Sequence, residues 1–140
     1  MRKTLLAMAL GLASLTQAAT ASPTRITMHQ DPNCGCCSGW AQHMRDHGFD
    51  VQVIRSADMY GVKQRHGVPM ELASCHTARV DATGQIIEGH VPANAVRKML
   101  LAPQVKGVAA PGMPVNSPGM GLMDGNLITV DFNGRPFSRD

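Results

Sequence analysis

The pattern of hydrophobic and polar positions predicts short strands alternating with short helices. Runs rich in β-branched residues and bounded by turn residues predict five strands, at residues 25–28, 51–54, 77–80, 85–88 and 127–132. Helical spacing and end signals predict three helices. The first follows the cysteine motif and ends at Gly48, the second spans residues 57–66 with Ser56 as its cap, and the third spans residues 92–101. Trp40, Met44 and His47 fall on one face of the first helix, and Trp40 is expected to pack that helix on the sheet. In the last helix, Val96, Met99 and Leu100 have the spacing of core residues.

The order of these elements resembles that of a thioredoxin-like domain. Residues 24–102 contain a strand, a helix that follows a C-x-x-C motif, a strand, a helix, an antiparallel hairpin and a third helix. Residues 103–140 lie beyond this layout. Within them, residues 109–125 are dominated by Gly, Pro and Met and predict an extended loop before the last strand and an Asn133-Gly134 turn. We therefore expect an α/β, thioredoxin-like domain with a Gly/Pro/Met-rich C-terminal extension.

The first residues have the three parts of a secretory signal peptide. Arg2 and Lys3 precede an apolar run at residues 5–15, and small residues follow that run. Ala19-Thr20-Ala21 offers a cleavage site, with Thr16-Gln17-Ala18 as a second option. Because the apolar run is too short to span a bilayer and no later run is longer, we expect residues 1–21 to be removed on export and no membrane span.

Most of the positive charge belongs to this leader. The chain has 13 Lys and Arg against 10 Asp and Glu, a formal net charge of +3. Without Arg2 and Lys3, 11 basic residues remain against the same 10 acids, so the net charge falls to +1. A chain with so little basic excess has no electrostatic basis for binding phosphates, and we expect no nucleic-acid partner.

Sulfur is what the mature chain has in excess, since it keeps all four cysteines and eight of the ten methionines. Exported cysteines usually form structural disulfides, yet Cys34, Cys36 and Cys37 lie within four residues. Adjacent Cys36 and Cys37 cannot easily bridge each other, whereas Cys34 and Cys37 can. Because scaffold disulfides usually join distant loops, we favour reactive or metal-binding chemistry over two structural bridges.

These three cysteines lie where a strand turns into a helix. A helix N-terminus lowers the pKa of a thiol, and the resulting thiolate is both a nucleophile and a ligand of soft metals. The place of Cys75 depends on the alignment with thioredoxin-like proteins. If Gly84 matches their hairpin glycine, Cys75 meets the first cysteine loop. If Pro69 matches the proline of their active-site loop, residues 70–75 are an insertion and Cys75 lies farther away.

Methionine and histidine side chains are further candidate ligands. Methionines in a Gly/Pro-rich loop either fill gaps against the core or carry thioether sulfur to the thiolates, and beside a C-x-C-C motif we favour the ligand role. Thiolate and thioether together select Cu(I) over harder metals. Zinc, by contrast, is normally held by two separate C-x-x-C pairs.

The six histidines divide by their positions. His76, beside Cys75, and His90, before the last helix, are the better ligand candidates, and His29 at the end of the first strand is a further one. His43 and His47 have the i, i+4 spacing of a metal pair, but we expect them on a solvated helix face. His66 is expected only to end its helix.

Four separated segments carry a family resemblance, namely Asp31-Pro32-Asn33-Cys34-Gly35-Cys36-Cys37, Ser74-Cys75-His76-Thr77-Ala78, Glu88-Gly89-His90-Val91-Pro92-Ala93 and Gly112-Met113-Pro114-Val115-Asn116-Ser117-Pro118-Gly119-Met120. They resemble the CopG family, periplasmic copper-resistance proteins of Gram-negative bacteria. The resemblance implies a periplasmic location and a thioredoxin-like domain with a metal-contributing C-terminal extension. It also implies several cysteine-bound copper ions beside the C-x-C-C motif and a role in interconverting Cu(I) and Cu(II).

Residue by residue, the resemblance supplies a set of metal ligands. With the two histidines, the candidates are Cys34, Cys36, Cys37, Cys75, Met113, Met120, His76 and His90. Cys34 and Cys37 are also the candidate catalytic thiols of a copper oxidoreductase. Gly121-Leu122-Met123 departs from the acidic residue expected after Met120 and leaves Met123 as an extra sulfur. The expected partners are copper ions and periplasmic copper efflux or chaperone proteins, and the chain is expected to be a monomer.

Two other classes of function stay open at this point. One is a metal-independent thiol–disulfide oxidoreductase in which Cys34 attacks and Cys37 resolves. Against it, Cys36 is a third thiol inside the motif that would divert a mixed disulfide. The other is a protein without redox turnover, either a copper chaperone or a purely structural exported domain.

Overall fold

The computed structural model describes residues 21–140, which form a seven-stranded mixed sheet with three α-helices. In chain order the elements are β1 (Arg25–Gln30), α1 (Gly35–Asp46), β2 (Asp50–Arg55), α2 (Met59–Arg65), a 3₁₀ turn (Met70–Leu72), β3 (His76–Val80), β4 (Ile86–Glu88), α3 (Ala93–Leu100), β5 (Gly107–Ala109), β6 (Ile128–Asp131) and β7 (Pro136–Arg139). The predicted signal peptide lies outside the described residues except for Ala21. Within the described part of the chain, no helix is both long and apolar enough to cross a bilayer.

The sheet has the strand order β2-β1-β3-β4-β5-β6-β7. The β1–β2 and β4–β5 pairs are parallel, and the other neighbouring pairs are antiparallel. The first four strands and the three helices have the predicted thioredoxin-like order, so the α/β fold class is confirmed. Strands β5, β6 and β7 come from the segment after residue 102 and continue the same sheet. The pattern analysis missed β5 and β7, because strands of three and four residues have too few positions to show a period.

Helix α1 packs on the sheet through a stripe of side chains at i, i+3, i+4 and i+7. The stripe consists of Cys37, Trp40, Ala41 and Met44, all of which are buried. Trp40 therefore packs on the sheet as predicted, while His47 is exposed beyond the last turn, as expected of a solvated position. The indole Nε1 of Trp40 donates a 2.8 Å hydrogen bond to the Val91 carbonyl oxygen, and so joins α1 to the loop before α3.

Helix α2 begins two residues later than predicted. Asp58 caps it, since its carboxylate accepts a 2.8 Å hydrogen bond from the backbone N–H of Gly61. The predicted cap, Ser56, lies outside the helix. A carboxylate satisfies a free N–H group and also suits the positive end of the helix dipole, which explains the later start.

Helix α3 receives its N-terminal cap from α1. Pro92 precedes the helix and has no capping side-chain hydrogen bond, while the backbone N–H of Ala93 donates to Nε2 of His43 at 3.1 Å. His43 is therefore half-buried and structural, and the prediction that it lies on a solvated face was wrong. The predicted packing face of α3 is confirmed for Val96 and Met99, which are buried, while Leu100 is only partly so.

A buried ion pair fixes the segment that leads into β3. Glu88, at the end of β4, is fully buried and accepts hydrogen bonds from Lys63 Nζ at 2.5 Å, the Ser74 N–H at 2.7 Å and Thr77 Oγ1 at 2.7 Å. Burial raises the pKa of the Glu88 carboxyl, and the hydrogen bond and charge of Lys63 oppose that rise. Because Ser74 directly precedes Cys75, this pair fixes the backbone next to that cysteine.

The Lys63–Glu88 pair gives a stability prediction. Replacing Glu88 with Gln leaves the ammonium of Lys63 buried without its partner charge, and we expect the free energy of unfolding to fall by about 3–5 kcal/mol. Urea denaturation followed by far-ultraviolet circular dichroism measures the loss. The double variant Lys63→Met with Glu88→Gln removes both charges and should recover most of it. A loss below about 1 kcal/mol for Glu88→Gln alone would contradict this account.

The His43 cap predicts a pH dependence of stability. Burial, followed by the positive charges of His47 and Arg97, lowers the pKa of His43 in the folded state, while Asp46 opposes the shift. The unfolded chain therefore binds the proton at a higher pH than the folded one does. The stabilisation is fully present above the unfolded value of about 6.5 and is lost as the pH falls through that value toward the folded pKa.

The test is to measure the free energy of unfolding between about pH 7 and pH 5 for the wild type and His43→Gln. Glutamine keeps an acceptor for the Ala93 N–H but does not titrate, so His43→Gln should lose less stability on acidification. His47→Gln leaves the cap in place but removes one of the charges that lower the pKa of His43, so its loss on acidification should fall between those of the wild type and His43→Gln. Equal acid-induced losses in His43→Gln and the wild type would show that the cap is not the source.

Candidate metal centre

The C-x-C-C motif forms the first turn of α1. Cys34 is the N-cap residue, and its side chain makes no capping hydrogen bond. Its backbone N–H donates to the Asp31 carbonyl oxygen at 3.0 Å, and the Asn33 N–H donates to the Asp31 carboxylate at 2.8 Å, which closes the turn that follows β1. The sulfurs therefore lie at the positive end of the α1 dipole, where negative charge is favoured.

Two of the four cysteines are joined and two are free. Cys34 and Cys37 form a disulfide, the C-x-x-C bridge that the sequence permits. Cys36 and Cys75 are free thiols. The Sγ of Cys36 lies 3.6 Å from that of Cys34, so a free thiol is held against the bonded pair. Cys37 is buried, whereas Cys34 and Cys36 are partly exposed.

Cys75 joins this cluster across the sheet. It directly precedes β3, which pairs antiparallel with β1 so that His76 lies opposite Gln30, the last residue before the cysteine loop. The Sγ atoms of Cys34, Cys36, Cys37 and Cys75 all lie within 4.8 Å of one another. Cys75 therefore meets the first cysteine loop, the position expected from the alignment on Gly84, and does not lie farther away.

His90 faces the same cluster with a defined tautomer. Its Nδ1 lies 2.7 Å from the Pro118 carbonyl oxygen, which can only accept, so Nδ1 carries the proton. Its Nε2 is then an acceptor, and it lies 2.9 Å from the Sγ of Cys75, whose S–H donates to it. His90 is fully buried, and burial lowers its pKa, which keeps the ring neutral. A neutral imidazole nitrogen aimed at a cysteine sulfur is ready to bind a metal.

His76 completes a second group of candidate ligands. One ligand atom each from Cys37, Cys75, His76 and His90 lies within 4.8 Å of the others. The His76 ring packs 4.4 Å from Trp40, its Nδ1 lies 3.6 Å from the Cys75 sulfur, and its Nε2 is buried without a hydrogen-bond partner. Burial, then the charges of His90 and Lys63, lowers the pKa of His76 well below its usual value.

The other histidines stay outside both groups. Nδ1 of His29 lies 3.4 Å from Ser56 Oγ, and its ring packs 5.6 Å from that of His66. His43 caps α3, and His47 lies exposed beside it with the two rings 4.3 Å apart. Of the six histidines, the structure therefore brings His76 and His90 to the cysteines.

Burial and the neighbouring Cys36 set the protonation of Cys75. Burial and the nearby charge of Cys36 raise the pKa of Cys75 to about 11, while a hydrogen bond from Ser74 opposes the rise. The Cys75 thiol is thus protonated at neutral pH, and it lies before a strand, where no helix N-terminus lowers its pKa. A cation placed between the two sulfurs would reverse both causes, because it pairs with the thiolates and replaces the proton.

The Gly/Pro/Met-rich loop is fastened beside the cluster at two points. Gly112 forms a parallel bridge with Ser74, and its N–H donates to the Ala73 carbonyl oxygen at 3.2 Å. Gly119, at φ +89°, lies so close to α1 that an added Cβ would be 2.6 Å from the Trp40 nitrogen and 3.0 Å from the Cys36 oxygen. These contacts require glycine at residue 119 and hold the loop against the turn that carries Cys36.

The candidate methionines directly follow these two anchoring glycines. Met113 comes after Gly112 and is 51% exposed, while Met120 comes after Gly119 and is partly buried. Met123 lies farther along the loop and is exposed. The loop therefore brings one methionine next to the segment that carries Cys75 and another next to the turn that carries Cys36.

Sequence analysis missed the groups that support the cluster. Lys63 and Glu88 were not singled out, although Glu88 ends the apolar run Ile86-Ile87, where a lone acid signals a buried carboxylate with a partner. In the sequence, Gly119 is one of several glycines in a Gly/Pro/Met-rich loop. In the structure, its missing Cβ lets that loop lie against the backbone of α1. Neither role has a local sequence signal strong enough to name the partner.

Comparisons with known proteins identify the family of this chain. A family model described as "Protein of unknown function, DUF411" matches residues 72–120, the segment with Cys75, His90 and the methionine loop. No curated protein matches the chain. Two solved structures named copper resistance protein CopG, forms 1 and 2, are each 40% identical to it, with TM-scores of 0.73 and 0.74.

The similarity to these structures extends over nearly their whole length. Each alignment covers 84% of this chain and 98% of the solved chain. The part that matches has the same fold and includes more than the family model, which begins only at residue 72. At 40% identity over that length, the resemblance drawn from the four sequence segments is confirmed, and the chain belongs to the CopG family of copper resistance proteins.

Proposed function

We propose that this protein binds copper in the periplasm as part of copper resistance and holds Cu(I) in a cysteine-thiolate site. The observation that carries the proposal is the convergence of four cysteine sulfurs within 4.8 Å of one another in a chain 40% identical to CopG. The predicted signal peptide supports the location, because it would export the chain to a compartment where excess copper is handled. The expected protein partners are periplasmic copper efflux or chaperone proteins.

The donor set favours Cu(I) over harder ions. Thiolate sulfur and thioether sulfur are soft ligands, and soft ligands select Cu(I). Two neutral imidazoles, His76 and His90, stand beside Cys75 and suit copper as well. Four thiolates this close together are suited to a site of several ions, since a thiolate sulfur can bridge two soft cations.

We assign Met113 and Met120 to the same site as thioether ligands. The support is the anchoring of their loop, in which Gly112 pairs with Ser74 and Gly119 packs against the Cys36 turn. Met113 is half exposed, and an exposed methionine contributes little to core packing, which weakens the gap-filling alternative. In this assignment the C-terminal extension closes the open side of the cysteine cluster.

We further propose that the site interconverts Cu(I) and Cu(II), with Cys34 and Cys37 as its redox-active thiols. The support is their disulfide, which lies within the cluster and not between distant loops. Such a bond contributes little to stability, because it closes a loop of only four residues. The alternative is a copper chaperone that makes no redox change. The two functions differ in one measurable rate, because only a redox protein would change the oxidation state of copper faster than it changes free in solution.

The first test is the Cu(I) stoichiometry of the reduced mature protein. We expect more than one Cu(I) per chain in an anaerobic titration against a competing chromogenic chelator. Loss of an outer-shell partner alone typically weakens metal affinity by about 10–100-fold, so Cys75→Ser should lose at least that and lower the stoichiometry. His66→Gln, outside both ligand groups, should bind as the wild type does. No binding, a preference for zinc, or an unaffected Cys75→Ser would contradict the proposal.

The second candidate function is a metal-independent thiol–disulfide oxidoreductase, which the Cys34–Cys37 disulfide favours. Its test is turnover of a small disulfide substrate by the metal-free protein. A simple oxidoreductase needs only Cys34 and Cys37, so Cys36→Ser and Cys75→Ser would leave turnover nearly intact. We expect instead little turnover without metal, because Cys36, 3.6 Å from Cys34, diverts the mixed disulfide. Fast turnover that survives both substitutions would favour the oxidoreductase.

A further inference from the structure

Two cavities adjoin each other on the sheet, away from the cysteine cluster. The larger measures about 420 Å³ and the smaller about 250 Å³, and they share Val105, Lys106 and Phe132 as lining residues, so they form one groove. The larger cavity alone is within the usual size of a small-molecule site. We propose that it binds a small organic anion, such as a carboxylate, that has an apolar body and a single negative group. This site is separate from the proposed copper site.

The alternation of side chains along β4 shows which face of the sheet carries the groove. Glu88 faces α2, because it pairs with Lys63. Ile86, two residues earlier, lies on the same face and lines the larger cavity. Ile87, between them, belongs to the same core cluster as Trp40 of α1. The groove therefore lies on the α2 face of the sheet, and α1, whose first turn carries three of the cysteines, lies on the other.

The groove also lies at the opposite end of β3 from the cysteines. Cys75 directly precedes β3, whereas Thr83 and Gly84, which line the larger cavity, belong to the turn that follows the strand. Five strand residues at about 3.3 Å each separate the two ends by roughly 15 Å. A ligand in the groove therefore leaves the cysteine sulfurs free to bind copper, and the two sites can be tested independently.

The floor of the larger cavity is apolar. The Phe132 ring covers Gly107 so closely that an added Cβ would lie 2.6 Å from the ring carbons. Gly107 is the register partner of Ile86 in the β4–β5 pair, so the ring and the Ile86 side chain adjoin. Val105 and Pro103 line the same cavity. Together these side chains offer an aromatic or alkyl group an apolar surface to cover, and covering it is favourable in water.

A hydrogen-bonded side chain holds one wall of the cavity in place. Nε2 of Gln85 donates to the carbonyl oxygens of Met99 and Val105, both at 2.9 Å, and to that of Ala102 at 3.2 Å. These bonds fix the segment between α3 and β5, which carries Val105 and Lys106. A pocket that is already formed binds its ligand with little further ordering of the chain, and the free-energy cost of binding falls accordingly.

Two cationic side chains stand at the rim of the larger cavity. Lys106 lines both cavities and is exposed, and among the residues that the structure describes it takes part in no ion pair. Nη2 of Arg79 lies 3.6 Å from the place of a Cβ on Gly84, so its guanidinium overhangs the turn that lines the cavity. The ion pair of Arg79 with Asp81 is long, at 3.9 Å. Both charges are therefore available to an anionic group of the ligand.

The surroundings of His66 carry the same positive charge. His66 follows α2 and lines the larger cavity. Burial, followed by the charges of His29, Arg79 and Arg65, lowers the pKa of His66. The charged neighbours disfavour a proton on the ring, and for the same electrostatic reason they favour an anion beside it.

In the smaller cavity, by contrast, a cation and an anion are already joined. Asp131 and Arg135 both line it, and their side chains pair at 2.8 Å. The remaining charged residue that lines it is Lys106, which also lines the larger cavity. The unbalanced positive charge therefore belongs to the larger cavity, and this is where we place the anionic group of the ligand.

The test is a nuclear magnetic resonance titration of the isotope-labelled mature protein with hydrocinnamate, which carries one ring and one carboxylate. We expect saturable shifts of the amide signals of Gly67, Gly84 and Lys106, with a dissociation constant of about 1–5 mM, as suits a ligand of this size. Two relatives of the probe separate its parts, since hydrocinnamyl alcohol has the ring without the charge and propionate has the charge without the ring. Each should bind at least about fivefold more weakly than hydrocinnamate.

Substitutions at the rim test the two charges. Lys106→Met and Arg79→Gln should each raise the dissociation constant of hydrocinnamate about threefold or more, since each removes a positive charge beside the ligand. Arg55→Gln is the matched control, because Arg55 is exposed on β2 and forms no ion pair within the described part of the chain. This control should bind hydrocinnamate as the wild type does.

Four results would each overturn the inference. These are no saturable shift below about 20 mM probe, shifts that map to the methionine loop and not to the groove, equal binding of hydrocinnamyl alcohol, and an unchanged dissociation constant in both Lys106→Met and Arg79→Gln. Copper does not enter these measurements. Their failure therefore leaves the proposed function standing, and a failed Cu(I) titration leaves this inference standing.

Discussion

The antiparallel pairing of β1 with β3 is the contact on which the site depends. It sets His76 opposite Gln30, so the loop that leaves β1 and the loop that enters β3 meet at one edge of the sheet. One loop carries Cys34, Cys36 and Cys37, and the other carries Cys75. Neither loop could assemble the cluster alone, and a slip of one residue in this register would turn the side chains at the edge to the opposite face.

Buried contacts on either side hold this meeting point in place. The Lys63–Glu88 pair fixes the Ser74 backbone, and the Trp40 indole fixes the Val91 backbone, so the residues next to Cys75 and His90 are both anchored. Gly119 then lets the C-terminal loop lie against the cysteine turn. The cluster is therefore assembled by hydrogen bonds and close backbone contact that come from outside the cysteine motif.

The same crowding makes the reduced cluster receptive to a soft cation. Burial, and then the charge of Cys36 beside it, raises the pKa of Cys75, so forming a thiolate there carries a cost. A bound cation removes that cost by pairing with the thiolates, and a disulfide removes it by converting two thiols to a neutral bond. Copper binding and disulfide formation therefore both lower the cost of keeping these sulfurs close together.

The sequence predicted the order of the elements, the cysteine motif and the family, because each has a local pattern. Strand alternation, helix end signals and the C-x-C-C spacing are all readable within a few residues. Contacts between residues that are distant in the chain could not be predicted from the sequence. The role of His43 as the cap of α3, the Lys63–Glu88 pair and the three-residue strand β5 all depend on contacts between segments far apart in the chain. Cys75 was only partly predictable, because two alignments placed it at different distances from the other cysteines. The structure shows that it joins them.

The central claim is that the four cysteines, with His90 and the methionine loop, form the copper site. The most direct measurement is a crystal structure of the copper-loaded protein with anomalous scattering recorded at the copper absorption edge. We predict several copper peaks among the sulfurs of Cys34, Cys36, Cys37 and Cys75. Copper peaks at the His43–His47 or His29–His66 pairs, with none at the cysteines, would contradict the account.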